Sequence, residues 1–375
     1  MKSSDIKLGY TACGYNELRN FLALPFTGVR VKRVIDPFRI ATACHRRLTK
    51  KTNYMLRNLY WDAGLNRCDI NHFFNGISLS SRPWFVTFET ALPRLAGPLQ
   101  DNLARRLAHP SCKRIIAMSQ CAYDIQKEHF CEEYSNLSES VIRKMVVLHP
   151  AQQVYASTTR CNKPKDTLTF AIVGADFFRK GGGQILKVFD RLIPEYPHLR
   201  LNIVSSIQYG DYASRTTRSD YNEAMRIILR HKQQIRHWER LCNDKVIELF
   251  RSSDVALLPS WGDTYGYSVL EAQSVGCPVI TTNIRALPEI NNLSCGWLID
   301  VPRRSSGDGV LDSSADRQHF SSVVEEQLEA HVRGIVNQPE CIQPKANTAL
   351  QRIRDEHDPQ VNAEKLGYYY RKALM

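Results

Sequence analysis

No apolar run in this sequence is long enough to cross a bilayer, and no leader with a cleavage site precedes the first structured stretch. A membrane-spanning or exported chain is therefore not expected. The eleven cysteines, at positions 13, 44, 68, 112, 121, 131, 161, 242, 277, 295 and 341, never fall in the close pairs of a zinc site. Their number is odd, so free thiols in a reducing cytoplasm are the expectation rather than a disulfide framework. Helix-turn-helix, zinc-finger and RNA-binding signatures are missing, which sets nucleic acid aside as a partner in spite of a formal net charge of +12.

What is present describes a globular chain. Its 375 residues are 43% hydrophobic and 23% charged, enough for two domains with separate cores. The charge is uneven. Residues 1–150 hold 22 Lys and Arg against 12 Asp and Glu, while residues 151–375 hold 28 against 26. A basic first half implies an anionic partner, either anionic lipid or a lipid-diphosphate acceptor; a generally basic surface is the competing explanation. The densest stretch runs through Arg30, Lys32, Arg33, Arg39, Arg46, Arg47, Lys50 and Lys51, interleaved with Phe21, Leu22, Leu24, Phe26 and Phe38, which suits a membrane surface.

The most informative stretch is Ser253 to Glu289. An apolar run, Val255 to Leu258, reads as a buried strand. A polar turn follows, then a short helix through Val269 and Leu270, closed by Gly276 and Pro278, then a second strand, Val279 to Thr282. Such strand–turn–helix–strand units build parallel sheets. The turn before the helix offers backbone N–H groups and the positive end of a helix dipole to a phosphate. Asp263 and Glu271 bracket it. Carboxylates beside an anion site suggest a ligand that carries hydroxyls as well as phosphate. On spacing alone, Asp263 as a helix cap and Glu271 as a favourable first-turn charge are equally good explanations.

A second glycine-rich turn, Gly174 to Gly183, follows the strand Leu168 to Val173 and precedes a helix from about Gln184 to Leu192. Strand, turn, Arg179, Lys180 and helix together suggest another phosphate site, although the spacing is not that of a P-loop.

PSWGDTYGYSVLEAQSVGCPVITT, with Asp263 and Glu271 separated by seven residues, resembles the acidic-pair motif of family 4 glycosyltransferases of GT-B fold. DTYGY, LEAQ and TTNIRALPE are similar to a bacterial subgroup that makes surface polysaccharides. The resemblance implies that Glu271 holds ribose hydroxyls of a sugar nucleotide, that Asp263 lies against the donor sugar, and that Thr264 and Gly266, Tyr267 and Ser268 lie along the donor. Lys180 matches the lysine that neutralises the departing diphosphate, with Arg179 as its neighbour. Three departures stand out: Asp263 replaces the usual Glu, Ala175 the usual Arg, and the first domain's glycine-rich loop is reduced to Gly-Tyr-Thr-Ala-Cys-Gly.

In chain order, Ile6 to Tyr10, Asp69 to Phe74, Trp84 to Phe88, Arg114 to Ser119 and Val146 to Leu148 read as strands of a first domain, 1–151. Glu89 and Arg94 stand past the end of one of these strands, where sheets of this class bind ligands, and are candidates for acceptor binding or base chemistry. His72, in an apolar strand, is more often a core residue. Residues 152–166, with Thr158, Thr159, Asn162 and Pro164, read as a linker, and 167–357 as the nucleotide-sugar domain. Within it 219–250 reads as helical with a break near Cys242, and 303–316 as an exposed loop. The expected fold is α/β, two Rossmann-like domains facing a cleft, with a C-terminal helix (358–375) crossing back to the first.

The activity implied is retaining, metal-independent transfer from a nucleotide-diphospho-sugar to a hydroxyl of a glycan or lipid-linked acceptor. It would belong to cell-surface polysaccharide or lipopolysaccharide synthesis, in a cytoplasmic protein peripheral to the inner membrane face. A sugar-nucleotide epimerase, or a non-catalytic sugar-nucleotide-binding protein, would keep the same fold.

Overall fold

The computed structural model describes residues 5–50, 57–94, 99–157, 166–210 and 212–375. Lys51 and the linker residues 158–165 lie outside them. The chain divides into two compact units, Met1–Ala151 with His357–Met375, and Gln152–Glu356.

The first unit contains strands β1 (Ile6–Tyr10), β2 (Val29–Arg33), β3 (Leu59–Tyr60), β4 (Ile70–Phe74), β5 (Ile77–Ser78), β6 (Trp84–Phe88), β7 (Cys112–Ala117) and β8 (Met145–Val147). Six form an all-parallel sheet in the order β2-β1-β4-β6-β7-β8, and β3 pairs with β5 separately. A parallel sheet is covered on both faces, so its central strands are apolar throughout. In β6 the two-residue period sends Trp84, Val86 and Phe88 into one core and Phe85 into the other.

The helix Pro359–Ala373 closes the second of these cores. Ala363, Leu366 and Tyr370 recur at helical spacing and pack against Leu8, Phe21, Ile70 and Phe85. His72 sits at the centre of this contact. It stacks on Phe21 at 4.0 Å, with Nδ1 2.6 Å from the Tyr370 hydroxyl and Nε2 2.8 Å from the Thr87 hydroxyl. Burial pushes its pKa down to about 3, as fits a neutral core histidine.

The second unit contains β9 (Leu168–Val173), β10 (Leu199–Val204), β11 (Ile235–Trp238), β12 (Val255–Leu258), β13 (Val279–Thr282) and β14 (Gly296–Ile299). They pair all-parallel in the order β11-β10-β9-β12-β13-β14. The order reverses between β9 and β12, and ligands of such sheets bind beyond the carboxyl ends of the strands at that switch point. Helix Gly182–Leu192 covers the sheet with Ile185, Leu186, Val188, Phe189 and Leu192, and helix Ser314–Asn337 packs on it in turn.

One local expectation fails. Residues 219–250 are not one helix with a late break. Helix Arg218–Arg230 ends at His231, and Ile235–Trp238 is a strand paired with β10 from Leu201↔Ile235 to Val204↔Trp238. IRHW carries no strong local period, and the free edge of β10 decides its conformation. The 303–316 loop is largely exposed, as expected, with only Gly307 buried, and is tied by an ion pair between Arg285 and Asp308. Among the described residues no helix is long and apolar enough to cross a membrane, and no group of three or more His, Cys, Asp or Glu is placed to hold a metal ion.

Candidate functional site

The turns after β9 and β12 converge at the switch point of the second unit. Gly181 makes the approach possible: its φ of +82° is left-handed, and a Cβ there would lie 2.2 Å from the Pro259 carbonyl oxygen. The backbone N–H of Trp261 donates to the Arg179 carbonyl at 2.8 Å, as does the Ser260 hydroxyl at 3.1 Å. Two segments some eighty residues apart are thereby held as one surface.

Lys180 and Asp263 meet there in an ion pair, Nζ to Oδ2, with side chains only 13% and 10% exposed. Burial pushes the Asp263 carboxyl up. The Lys180 ammonium, with a smaller contribution from Arg179 and the Tyr265 amide, outweighs it and holds the group below the ordinary carboxylate range. Arg179 donates to Asp176 at 2.6 and 2.8 Å and to the Gly262 carbonyl, and its guanidinium lies 6.0 Å from the Tyr212 ring centre.

Beside this pair opens a cavity of about 480 Å³, lined by Arg179, Asp263, Thr264, Tyr209, Tyr212 and Arg285 among others. Gly266 continues from the turn with φ +98°, where a Cβ would lie 2.6 Å from a Leu287 methyl, and caps the short helix Tyr267–Gln273. Tyr267 and Ser268 form that helix's first turn, and Glu271, 8% exposed, its second.

The residues singled out from the sequence thus fall into two sets. Lys180, Arg179, Asp263, Thr264, Gly266, Tyr267, Ser268 and Glu271 occupy adjoining turns of the second unit. Glu89 and Arg94 belong to the first, where they form an ion pair of 2.6 Å. His72 is a core residue. Sequence reading missed Asp176, Tyr209, Tyr212 and Asp308, and left Arg285 unassigned although it lies inside the quoted TTNIRALPE. These residues sit in separate loops with no shared local pattern.

The sequence model of Glycosyl transferases group 1 matches residues 158–312, the stretch that carries both turns. The D-inositol 3-phosphate glycosyltransferase of Streptomyces scabiei (strain 87.22) is 24% identical over 253 residues, 64% of this chain and 57% of that protein. Glycogen synthase of Mycobacterium tuberculosis (strain ATCC 25618 / H37Rv) is 26% identical over 203 residues, 53% of this chain and 41% of that protein. The chain spans little more than half the length of the first of these relatives.

Among solved structures, Anabaena HepE in complex with UDP and glucose superposes with a TM-score of 0.60 at 12% identity, covering 98% of this chain and 100% of that one. A glycosyltransferase from Rickettsia africae ESF-5 gives 0.62 at 13% identity, covering 99% of each chain. At such identity the likeness concerns the fold, which is GT-B: two Rossmann-like units with parallel sheets. Through residues 158–312 the chain is similar to the group 1 glycosyl transferases.

Proposed function

We propose that this protein is a retaining glycosyltransferase that moves a sugar from a nucleotide-diphospho-sugar to a hydroxyl of a glycan or lipid-linked acceptor, in the assembly of cell-surface polysaccharide or lipopolysaccharide. The observation that carries this proposal is the buried Lys180–Asp263 pair beside the cavity at the β9/β12 switch point. Lys180, with Arg179 beside it, takes up the negative charge that develops on the departing diphosphate. The amides at Gly266 to Ser268 support it from the helix start. Asp263 lies against the donor sugar, Thr264 lines the same cavity, and Glu271 accepts from the ribose hydroxyls. In the transfer step the bond from the anomeric carbon to the phosphate oxygen breaks and the bond to the acceptor oxygen forms on the same face. The acceptor proton passes to the leaving phosphate. The charge is neutralised by side chains, so no metal is assigned.

A thermal-shift screen against UDP- and GDP-sugars tests this. A ligand at a hundredfold excess over its Kd stabilises by about 2.7 kcal/mol. The expected result is a clear shift with one donor that disappears in Glu271→Ala. A shift that survives in that variant would remove Glu271 from the site, and no shift with any donor would count against the activity.

A peripheral position at an anionic, cytoplasmic membrane face belongs to the same proposal. Its support is helix Pro37–Thr49, which buries no residue, carries Arg39, Arg46 and Arg47, and leaves Ile40 58% and Leu48 84% exposed. Each basic residue at such a surface contributes about 1 kcal/mol. Arg46→Glu with Arg47→Glu should therefore weaken binding to phosphatidylglycerol-containing vesicles by more than tenfold. Equal binding by the parent and the double variant would reduce the helix to ordinary surface.

A further inference from the structure

Three ion pairs stand at the switch point of the second unit: Lys180 with Asp263, Arg179 with Asp176, and Arg285 with Asp308. A diphosphate is an oxyanion like the three carboxylates and competes with them for the same N–H donors. The pairs differ in how easily the cation leaves. Arg179 is also bonded to the Gly262 carbonyl, and Arg285 grips Asp308 through both Nε and Nη2. Lys180 is a single ammonium on a flexible stem, and Asp263 is its one ion-pair partner among the described residues.

They differ more in what a departing cation leaves behind. The side chains of Asp176 and Asp308 are 62% and 42% exposed, so water takes the cation's place. That of Asp263 is only 10% exposed. Burial pushes this carboxyl up, and Lys180 is the largest of the influences that hold it down. Once Lys180 has gone, Arg179 and the Tyr265 amide, 3.4 Å from Oδ1, are the groups left to support the charge. A diphosphate bonded to Lys180 places like charge beside it as well, and both burial and like charge favour the protonated form. The other charged groups on the cavity wall are Arg179, Arg285, Asp176 and Asp308, and Glu271 lies two residues into the helix beyond Val269. No histidine, the side chain that ordinarily titrates near neutral pH, is among the described residues that line it.

We infer that donor binding draws Lys180 from Asp263 to the diphosphate, and that Asp263 then takes up a proton from solvent. The inference rests on the proposed transfer for the identity of the donor, and makes its binding a protonation-coupled step. The ionic hydrogen bond from Nζ to Oδ2 breaks and one from Nζ to a diphosphate oxygen forms. Lys180 stays an ammonium, and the buffer supplies the proton to the carboxylate. A neutral carboxyl both donates and accepts, which suits it to the hydroxyls of a sugar. Because the bound form holds the extra proton, the donor binds more tightly as the pH falls, by up to about tenfold per pH unit. The dependence vanishes above the pH at which bound Asp263 ionises and below the pH at which free Asp263 is already protonated.

Calorimetric titration of the full chain tests the coupling. UDP-glucose and GDP-mannose are the probes, since a diphosphate esterified at both ends has no group of its own that titrates near neutral pH. Each is titrated at about pH 6 and about pH 8, in buffers of low and high ionisation enthalpy, so that the difference in heat counts protons. Uptake should be larger at the lower pH, approaching about one proton per donor bound. Asp263→Asn should abolish the uptake and leave affinity flat with pH, whereas Asp176→Asn and Asp308→Asn should retain both effects. Should Asp263→Asn fail to fold, the buffer series on the parent chain decides alone. Heats that do not depend on the buffer, release of protons, or uptake that survives in Asp263→Asn would overturn the inference and leave donor binding standing. Binding of neither nucleotide would instead remove the donor reading, and the inference with it.

Discussion

Lys180→Ala is expected to lower sugar transfer by about 100- to 1,000-fold, the range seen when one preorganised donor to a developing oxyanion is lost. The effect has to be separated from a structural one, because the lysine is also the partner of a buried carboxylate. With Lys180 gone, Asp263 keeps its burial and loses the cation that holds its pKa low. A cost on the order of 1–3 kcal/mol in stability should follow. Adding Asp263→Asn removes the stranded charge. The double variant should therefore regain most of the lost Tm while transfer remains depressed. Measuring kcat and Tm on the two variants decides the matter. Recovery of both together would make Lys180 a structural cation, and full activity in Lys180→Ala would remove it from the site altogether.

Gly181→Ala should be among the most damaging single-methyl additions in the second unit. Two costs combine. A non-glycine residue at φ +82° is strained by about 1–3 kcal/mol, and the new Cβ would lie 2.2 Å from the Pro259 carbonyl oxygen, a backbone atom that moves only with its turn. Together they amount to roughly 3 kcal/mol or more. For a unit of this size that corresponds to a fall in Tm of about 10 °C. Because the affected turn carries Lys180, donor binding should weaken with it. The same substitution at Gly334, inside helix Ser314–Asn337 with nothing within 4 Å of the added carbon, should instead stabilise by about 0.5–1 kcal/mol. Denaturant melts of the two variants check both signs. Equal effects would mean that the close approach at Pro259 relaxes without cost.

Both predictions concern residues that could be read from the sequence. The second unit's turns are contiguous: a strand, a glycine-bearing loop and a helix lie within about twenty residues, so apolar runs and punctuating glycines mark them directly. The helix Pro359–Ala373 was legible for a related reason, since Ala363, Leu366 and Tyr370 recur at helical spacing in an otherwise polar stretch. The chain alone therefore specified two parallel α/β units, the pair of glycine-bearing turns, and the acidic residues bracketing one of them.

Tertiary structure decided what no window of sequence contains. Ile235–Trp238 became a strand because β10 offered an unpaired edge, overriding the helical character of its surroundings. His72 became a core residue because three segments, ending in Phe21, Thr87 and Tyr370, enclose it. Lys180 found Asp263 across eighty residues because β9 and β12 are neighbours in the sheet. Periodicity fixes elements over one or two turns or strands. Which elements become neighbours depends on burying whole faces at once, and that choice assembles the residues of a site.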